Sequence, residues 1–133
     1  MKNESIYLVR DQQFAYRDSQ MPTPGDKDVV VEIKHIGVCG SDVAFFTEHT
    51  MHGALDFELP IILGHECAGI VVQTGAGVEH LKVGDRVALE PGVPCGTCKY
   101  CRSGHYIVCP DVDCMAAPPF RSAAMSRYVR HPE

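Results

Sequence analysis

Four cysteines, Cys95, Cys98, Cys101 and Cys109, stand at the spacing C-x2-C-x2-C-x7-C. Two tight turns and a short loop close four such thiols around one point, and four thiolates with no vacant position are the donor set of a structural Zn(II) ion. Such binding is worth roughly 10–16 kcal/mol in small zinc peptides. That can hold a segment whose neighbours Pro94, Gly96, Lys99, Arg102, Ser103 and Gly104 offer almost no core. Disulfides, free thiols and an iron–sulfur cluster are the alternatives. The total of seven cysteines is odd, so a purely disulfide framework leaves one over, and Cys109 lies too far along the chain for the ferredoxin run. A second set is separate: Cys39-Gly40-Ser41-Asp42 at one strand end and Gly64-His65-Glu66 before another. The thiolate of Cys39, the imidazole of His65 and the carboxylate of Glu66 make three ligands, which leave a fourth position for water or substrate and so mark a catalytic zinc. Taken singly, a cysteine is more often buried and inert, and a histidine more often hydrogen-bonded.

Strands must present these residues. Asp28 to Gly37, with its β-branched start and alternating second half, reads as a half-buried strand. Shorter strands are expected at 5–10, 67–73, 86–90 and 125–130, separated by Gly and Pro punctuation at Pro22-Thr23-Pro24-Gly25, Gly75-Ala76-Gly77 and Gly84-Asp85. That rhythm predicts a mainly β fold, an irregular barrel. One short helix is expected near Ser41-Asp42, which would cap the turn Val43-Ala44-Phe45-Phe46. The stretch 91–124 reads as an excursion rather than a strand pair. No strand is followed by a dinucleotide fingerprint and a long helix; Gly75-Ala76-Gly77-Val78-Glu79-His80 lacks the third glycine and reads as a hairpin loop. Gly75, Gly77 and Gly84 are expected at turns with positive φ, and Cys67 against the sheet or in the core. Cys114 is expected to line the pocket or to be a free thiol. His35, His80, His105 and His131 have no partner at ligand spacing.

The motif Gly64-His65-Glu66-x2-Gly69-x5-Gly75-x2-Val78, together with Cys39-Gly40-Ser41-Asp42, Gly84-Asp85-Arg86-Val87 and the four-cysteine lobe, resembles the zinc-containing medium-chain alcohol and polyol dehydrogenases, in their order and approximate spacing. Glu90-Pro91-Gly92 and Ala116-Ala117-Pro118-Pro119 look most like the sorbitol and xylitol branch. The resemblance spans essentially the whole chain and implies one GroES-like catalytic domain over residues 1–133, with a structural zinc lobe at about 91–114. It further implies a catalytic zinc on Cys39, His65 and Glu66, proton acceptance from the alcohol by Ser41, and hydride transfer from the substrate to NAD or NADP. Asp42 matches the carboxylate that orients the zinc-binding imidazole, a role compatible with a first-turn helix acid. The implied substrate is a secondary alcohol or polyol. The implied assembly is a dimer or tetramer of the full-length enzyme.

Three departures stand beside these matches. Ala44 replaces a histidine that often passes the proton outward, with His49 and His52 as local substitutes. Arg121-Ser122 stands where polyol enzymes commonly carry Asp-Gly, which opens the identity of the polyol. The nicotinamide-binding domain and a later acidic residue near the catalytic metal are absent after Glu133. A truncated product is therefore expected: inactive alone, binding structural zinc firmly, catalytic zinc weakly or not at all, and no nucleotide. Among 133 residues, 45% hydrophobic and 22% charged, the net charge of −5 argues against nucleic acid or an anionic membrane as partner. The start has no signal-peptide core, so a cytoplasmic location is expected. A zinc-stabilised binding module without catalysis is the competing class, disfavoured by acidic charge and scarce basic clustering. A co-chaperonin-like barrel has no use for Gly-His-Glu or four cysteines, and the zinc-free reductase branch lacks both.

Overall fold

The computed structural model describes residues 2–10, 12–48, 57–117 and 122–133. His49, His52 and the Pro118–Arg121 stretch, on which the proton relay and part of the branch reading rest, lie outside the described residues. The elements follow in chain order: β1 Asn3–Arg10, β2 Gln13–Ser19, β3 Asp28–Gly37, α1 Gly40–Glu48, β4 Ile61–Ile62, β5 Glu66–Thr74, β6 Arg86–Leu89, β7 Gly92–Val93, α2 Lys99–Arg102, a 3-10 turn Tyr106–Val108, β8 Asp113–Cys114 and β9 Tyr128–Pro132. The mainly β fold is the one the residues imply. Three sheets carry it, ordered β2-β1-β4, β6-β5-β3-β9 and β7-β8. Their hydrogen-bonded ladders remain open among the described residues, so the expected barrel is not closed there.

The second sheet holds the longest pairing. β3 lies antiparallel to β5 from Val29↔Thr74 to Gly37↔Glu66, with bulges between Val30 and Val31 and between Ile33 and His35. Val29, Val31 and Val71 are fully or almost fully buried with Leu89, Met115, Ala124 and Val129, forming one core. A second core joins Leu8, Ile61 and Leu63 to Phe45 of α1, which fixes how that helix sits. Between them runs the segment before β9. Ile6 N–H donates to Met125 O, Arg127 N–H to Glu4 O and Ile33 N–H to Arg127 O, at 2.8 to 2.9 Å, so residues 125–127 sew the first sheet to the second. The strand expected at 125–130 is accordingly displaced to Tyr128–Pro132, because its first residues bond to two sheets at once. Inside this seam the buried Asn3 side chain accepts from Tyr128 N–H at 2.9 Å and donates to Tyr128 O at 3.2 Å, which satisfies its amide.

The expected hairpin loop after β5 is present, since β5 and β6 pair antiparallel across residues 75–85. Of its glycines only Gly84 has positive φ, at 98°. Gly75 and Gly77 answer a different need: a Cβ on Gly75 would collide with the carbonyl oxygens of Gly25 and Asp26, and one on Gly77 with the Asp26 carboxylate. β2 escaped sequence reading because its residues are mostly exposed and carry no inward apolar stripe.

Candidate metal centres

Within 91–114 the chain folds on its cysteines. Cys98 is the N-cap of α2, its sulfur accepting from Cys101 N–H at 3.5 Å. Cys95 sulfur accepts from Cys98 N–H at 3.4 Å, and Cys109 sulfur from Cys95 N–H at 3.4 Å. The sulfurs lie 3.5 Å apart for Cys98 and Cys101, and 3.9 Å for Cys95–Cys101 and Cys98–Cys109. A tetrahedron with Zn–S bonds of about 2.3 Å requires sulfurs roughly 3.8 Å apart, whereas a disulfide needs about 2.05 Å. The spacing therefore fits one tetrahedral ion, and all seven cysteines are unbridged. Hydrogen bonds from Thr97, through its N–H and its hydroxyl, with the Cys98 N–H, pull the Cys95 thiol down to about 6. Burial and then the neighbouring Cys98 push Cys101 up to about 12. Four thiols share one small space, and a divalent cation is what would let them ionise together.

The second group forms where β3 ends and β5 begins. The ligand atoms of Cys39, His65 and Glu66 all lie within 4.8 Å of one another, with Cys39 and His65 half-buried and Glu66 exposed. Asp42 joins the two ligand-bearing turns. Only 3% of its side chain is exposed; its Oδ2 accepts from Cys39 N–H and its Oδ1 from Gly64 N–H, both at 3.0 Å. The first of these reaches from the first turn of α1 back to its N-cap, as the carboxylate of a capping box does. Asp42 Oδ1 is also 3.8 Å from His65 Nδ1, near enough for charge attraction but beyond hydrogen-bond length. Gly64 makes the turn into His65 with φ of 92°, and the segment that sews the sheets pins it: Ala124 N–H donates to Gly64 O and Met125 N–H to Leu63 O. Ser41 is half-buried in the first turn of α1, two residues past Cys39, and Ala44 is half-buried one turn on.

Both predicted cysteine and mixed-ligand sets are thus drawn together. Neither set includes Cys67 or Cys114. Cys67 packs against the first core, where burial raises its thiol, and Cys114 is exposed. His131 ring nitrogens lie 2.8 Å from Glu90 O and 2.7 Å from Pro132 O, and His105 Nδ1 lies 3.1 Å from Ser103 Oγ.

Residues 25–133 match the alcohol dehydrogenase GroES-like domain model. The chain belongs to that family. As a member of the GroES-like alcohol dehydrogenase domains it is 43% identical over 133 residues to the uncharacterized zinc-type alcohol dehydrogenase-like protein YdjJ of Escherichia coli, covering all of this chain and 38% of that protein. It is 42% identical to the sorbitol dehydrogenase of Arabidopsis thaliana, covering 98% of this chain and 35% of that one. The crystal structure of an Escherichia coli oxidoreductase/dehydrogenase of unknown specificity superposes with a TM-score of 0.90 at 43% identity, over the whole of this chain and 38% of that chain. The GroES-like domain here spans little more than a third of the length of these relatives. Among the described residues no helix is long and apolar enough to cross a membrane.

Proposed function

We propose that this domain is the metal- and substrate-holding part of a zinc-dependent, NAD(P)-linked dehydrogenase that oxidises a secondary alcohol or polyol, of the sorbitol class, to a ketone. The observation that carries the reading is the gathering of Cys39, His65 and Glu66 ligand atoms within 4.8 Å at the ends of β3 and β5, apart from the four-thiol lobe. Two donor sets of different character on one domain call for two ions of different duty, one structural and one with an open position. A zinc ion on the mixed set would supply Lewis-acid polarisation of the substrate hydroxyl. In this reading Ser41 would accept the hydroxyl proton, and a nicotinamide held by another domain would supply the hydride acceptor, so that alcohol and oxidised cofactor would give ketone, reduced cofactor and one proton. Asp42 holds the Cys39 and His65 turns together and faces the imidazole. The lobe built on Cys95, Cys98, Cys101 and Cys109 carries the structural ion.

The nucleotide site belongs to a separate nicotinamide-binding domain, and the whole enzyme works as a cytoplasmic dimer or tetramer. The sorbitol dehydrogenase relative supports the polyol class. Zinc analysis of the reduced chain tests the reading. With zinc supplied in excess, about two ions per chain are expected, one held firmly and lost in Cys98→Ser, the other held weakly and lost in Cys39→Ser. A chain that holds a lobe ion alone, indifferent to Cys39→Ser, overturns the catalytic assignment.

A further inference from the structure

Asp42 fixes the turns that carry Cys39 and His65, yet it makes no hydrogen bond to Glu66, whose side chain is exposed at the first position of β5. What holds that carboxylate lies across the ladder. Gly37, the last residue of β3, stands directly opposite Glu66 in the final rung of the pairing. A Cβ at position 37 would lie 2.5 Å from Glu66 Oε2 and 3.0 Å from Glu66 Cβ. Directly opposed Cβ atoms in antiparallel strands are ordinarily about 4.5–5.5 Å apart, so the two strand ends approach more closely here than opposed side chains ordinarily do. The space where a side chain would stand is taken by the Glu66 side chain, which lies over the glycine.

Backbone freedom is not the reason for glycine at this position. Gly37 is absent from the residues of positive φ, which comprise Gly64, Gly84, Gly96 and Gly104 among the glycines. It ends a regular strand, where alanine is conformationally acceptable and glycine is entropically the poorer residue. Space alone distinguishes the two. Because Cys39 follows Gly37 by two residues and His65 directly precedes Glu66, the pinch sits at the point from which all three ligands leave the sheet.

We infer that Gly37 is a positioning residue for the metal centre: its missing side chain lets Glu66 fold across β3 and aims the carboxylate at Cys39 and His65. The inference rests on the reading of that group as a metal site and adds the residue that makes Glu66 a ligand. Gly37→Ala pushes the carboxylate outward and costs the site one of its three donors. The loss expected is that of a disturbed supporting residue, about 10–100-fold in metal affinity, with the lobe untouched.

Cobalt(II) titration of the zinc-depleted, reduced chain tests this, followed by the visible bands of each site, with Cys39→Ser identifying those of the mixed set. Gly37→Ala should weaken the mixed site 10–100-fold and leave the four-thiolate bands at full intensity. In a Glu66→Ala background the same substitution should change neither site, since the group it displaces is gone. Wild-type affinity in Gly37→Ala overturns the inference, as does an equal further loss in the Glu66→Ala background, which would mean the strand end itself is damaged. If Gly37→Ala does not fold, Gly37→Ala/Glu66→Gly should, because both the carboxylate and the Cβ that the new methyl meets are removed; an unfolded double variant also overturns it. A wild-type chain that binds cobalt in the lobe alone fails one step earlier, and takes down the metal-site reading together with this inference.

Discussion

The four-cysteine lobe and the Cys39/His65/Glu66 group reach similar ligand crowding by opposite routes. In the lobe every ligand comes from one stretch, Cys95 and Cys109 being 14 positions apart, and the sulfurs are fixed by N–H groups of the same turns. Almost nothing else holds it: α2 buries no residue, and Tyr106, Ile107 and Val108 are 49%, 76% and 57% exposed. The mixed group borrows its geometry from a packed body. Its residues sit on the ends of β3 and β5, over two cores in which Val31 and Val71 of the first and Leu63 of the second have no exposure at all. In the lobe, then, an ion would be the core; at the strand ends the core exists first and an ion would be a guest. A structural ion can be served by local turns. An ion that must keep one position open needs a frame that stays in place when that position is empty.

The largest expected effect separates the two regions. Removing metal with a strong chelator, or one ligand with Cys98→Ser, withdraws roughly 10–16 kcal/mol of binding from a lobe with no apolar substitute. Amide hydrogen exchange should show residues 95–109 losing protection while β3 and β5 keep theirs. Equal loss in both would mean that the lobe is part of the body's core. Leu63→Ala reverses the experiment. A fully buried leucine in the second core costs about 2–5 kcal/mol on truncation, read as a lower denaturant midpoint. The mixed site should weaken as well, since Leu63 adjoins Gly64, while the lobe keeps its ion.

The same contrast explains what could be read from the chain beforehand. The lobe was legible from spacing alone, because its geometry is local and C-x2-C-x2-C-x7-C leaves few ways to place four sulfurs. β3 was legible to the residue, since its apolar run and its terminal Gly37 are both in the sequence. Cys39, His65 and Glu66 are a three-ligand candidate by residue type, and the resemblance of their motifs adds the weight, because nothing local says that two strand ends meet. The role of Gly37 is hidden for that reason: a glycine that ends a strand shows no purpose until the opposing Glu66 is seen. Gly75 and Gly77 were misread likewise, as φ was assumed where close approach to Gly25 and Asp26 is the cause. The seam at 125–127 reads as part of the strand that Tyr128 and Val129 favour, and only the partition of its hydrogen bonds between two sheets shows otherwise.

Asp42→Asn should have an intermediate effect and bear on the mixed site alone. The carboxylate now gives one oxygen to Cys39 N–H and one to Gly64 N–H, and a carboxamide can accept with only one of its two ends. One ligand turn is released, and the charge facing His65 Nδ1 is lost. Metal affinity at the mixed site should fall about 10–100-fold with the lobe ion retained, as zinc competition assays on the chain can measure. An unchanged affinity would mean that β3 and β5 alone set the two turns, and would strengthen the division between frame and guest.

The smallest effect concerns a fixture of the body that uses neither ion. The Glu133 carboxylate accepts N–H groups from Glu79 and Leu81 at 3.0 and 3.1 Å, and from His80, tying the β5–β6 connection to the chain that leaves β9. These donors, His80 N–H foremost, hold its carboxyl below the usual glutamate range. A depressed folded-state value means that the ionised form favours folding. The contribution is complete above the ordinary glutamate value and disappears as pH falls through the lowered one. Glu133→Gln should therefore be slightly less stable than the parent at neutral pH, with its melting temperature converging on the parent's as the solution is acidified below the carboxylate range. Faster exchange in the variant should be confined to the amides of 79–81. Faster exchange in the lobe as well would show that the end of β9, whose His131 ring lies 2.8 Å from Glu90 O just ahead of the lobe, couples two regions that are otherwise held by different means.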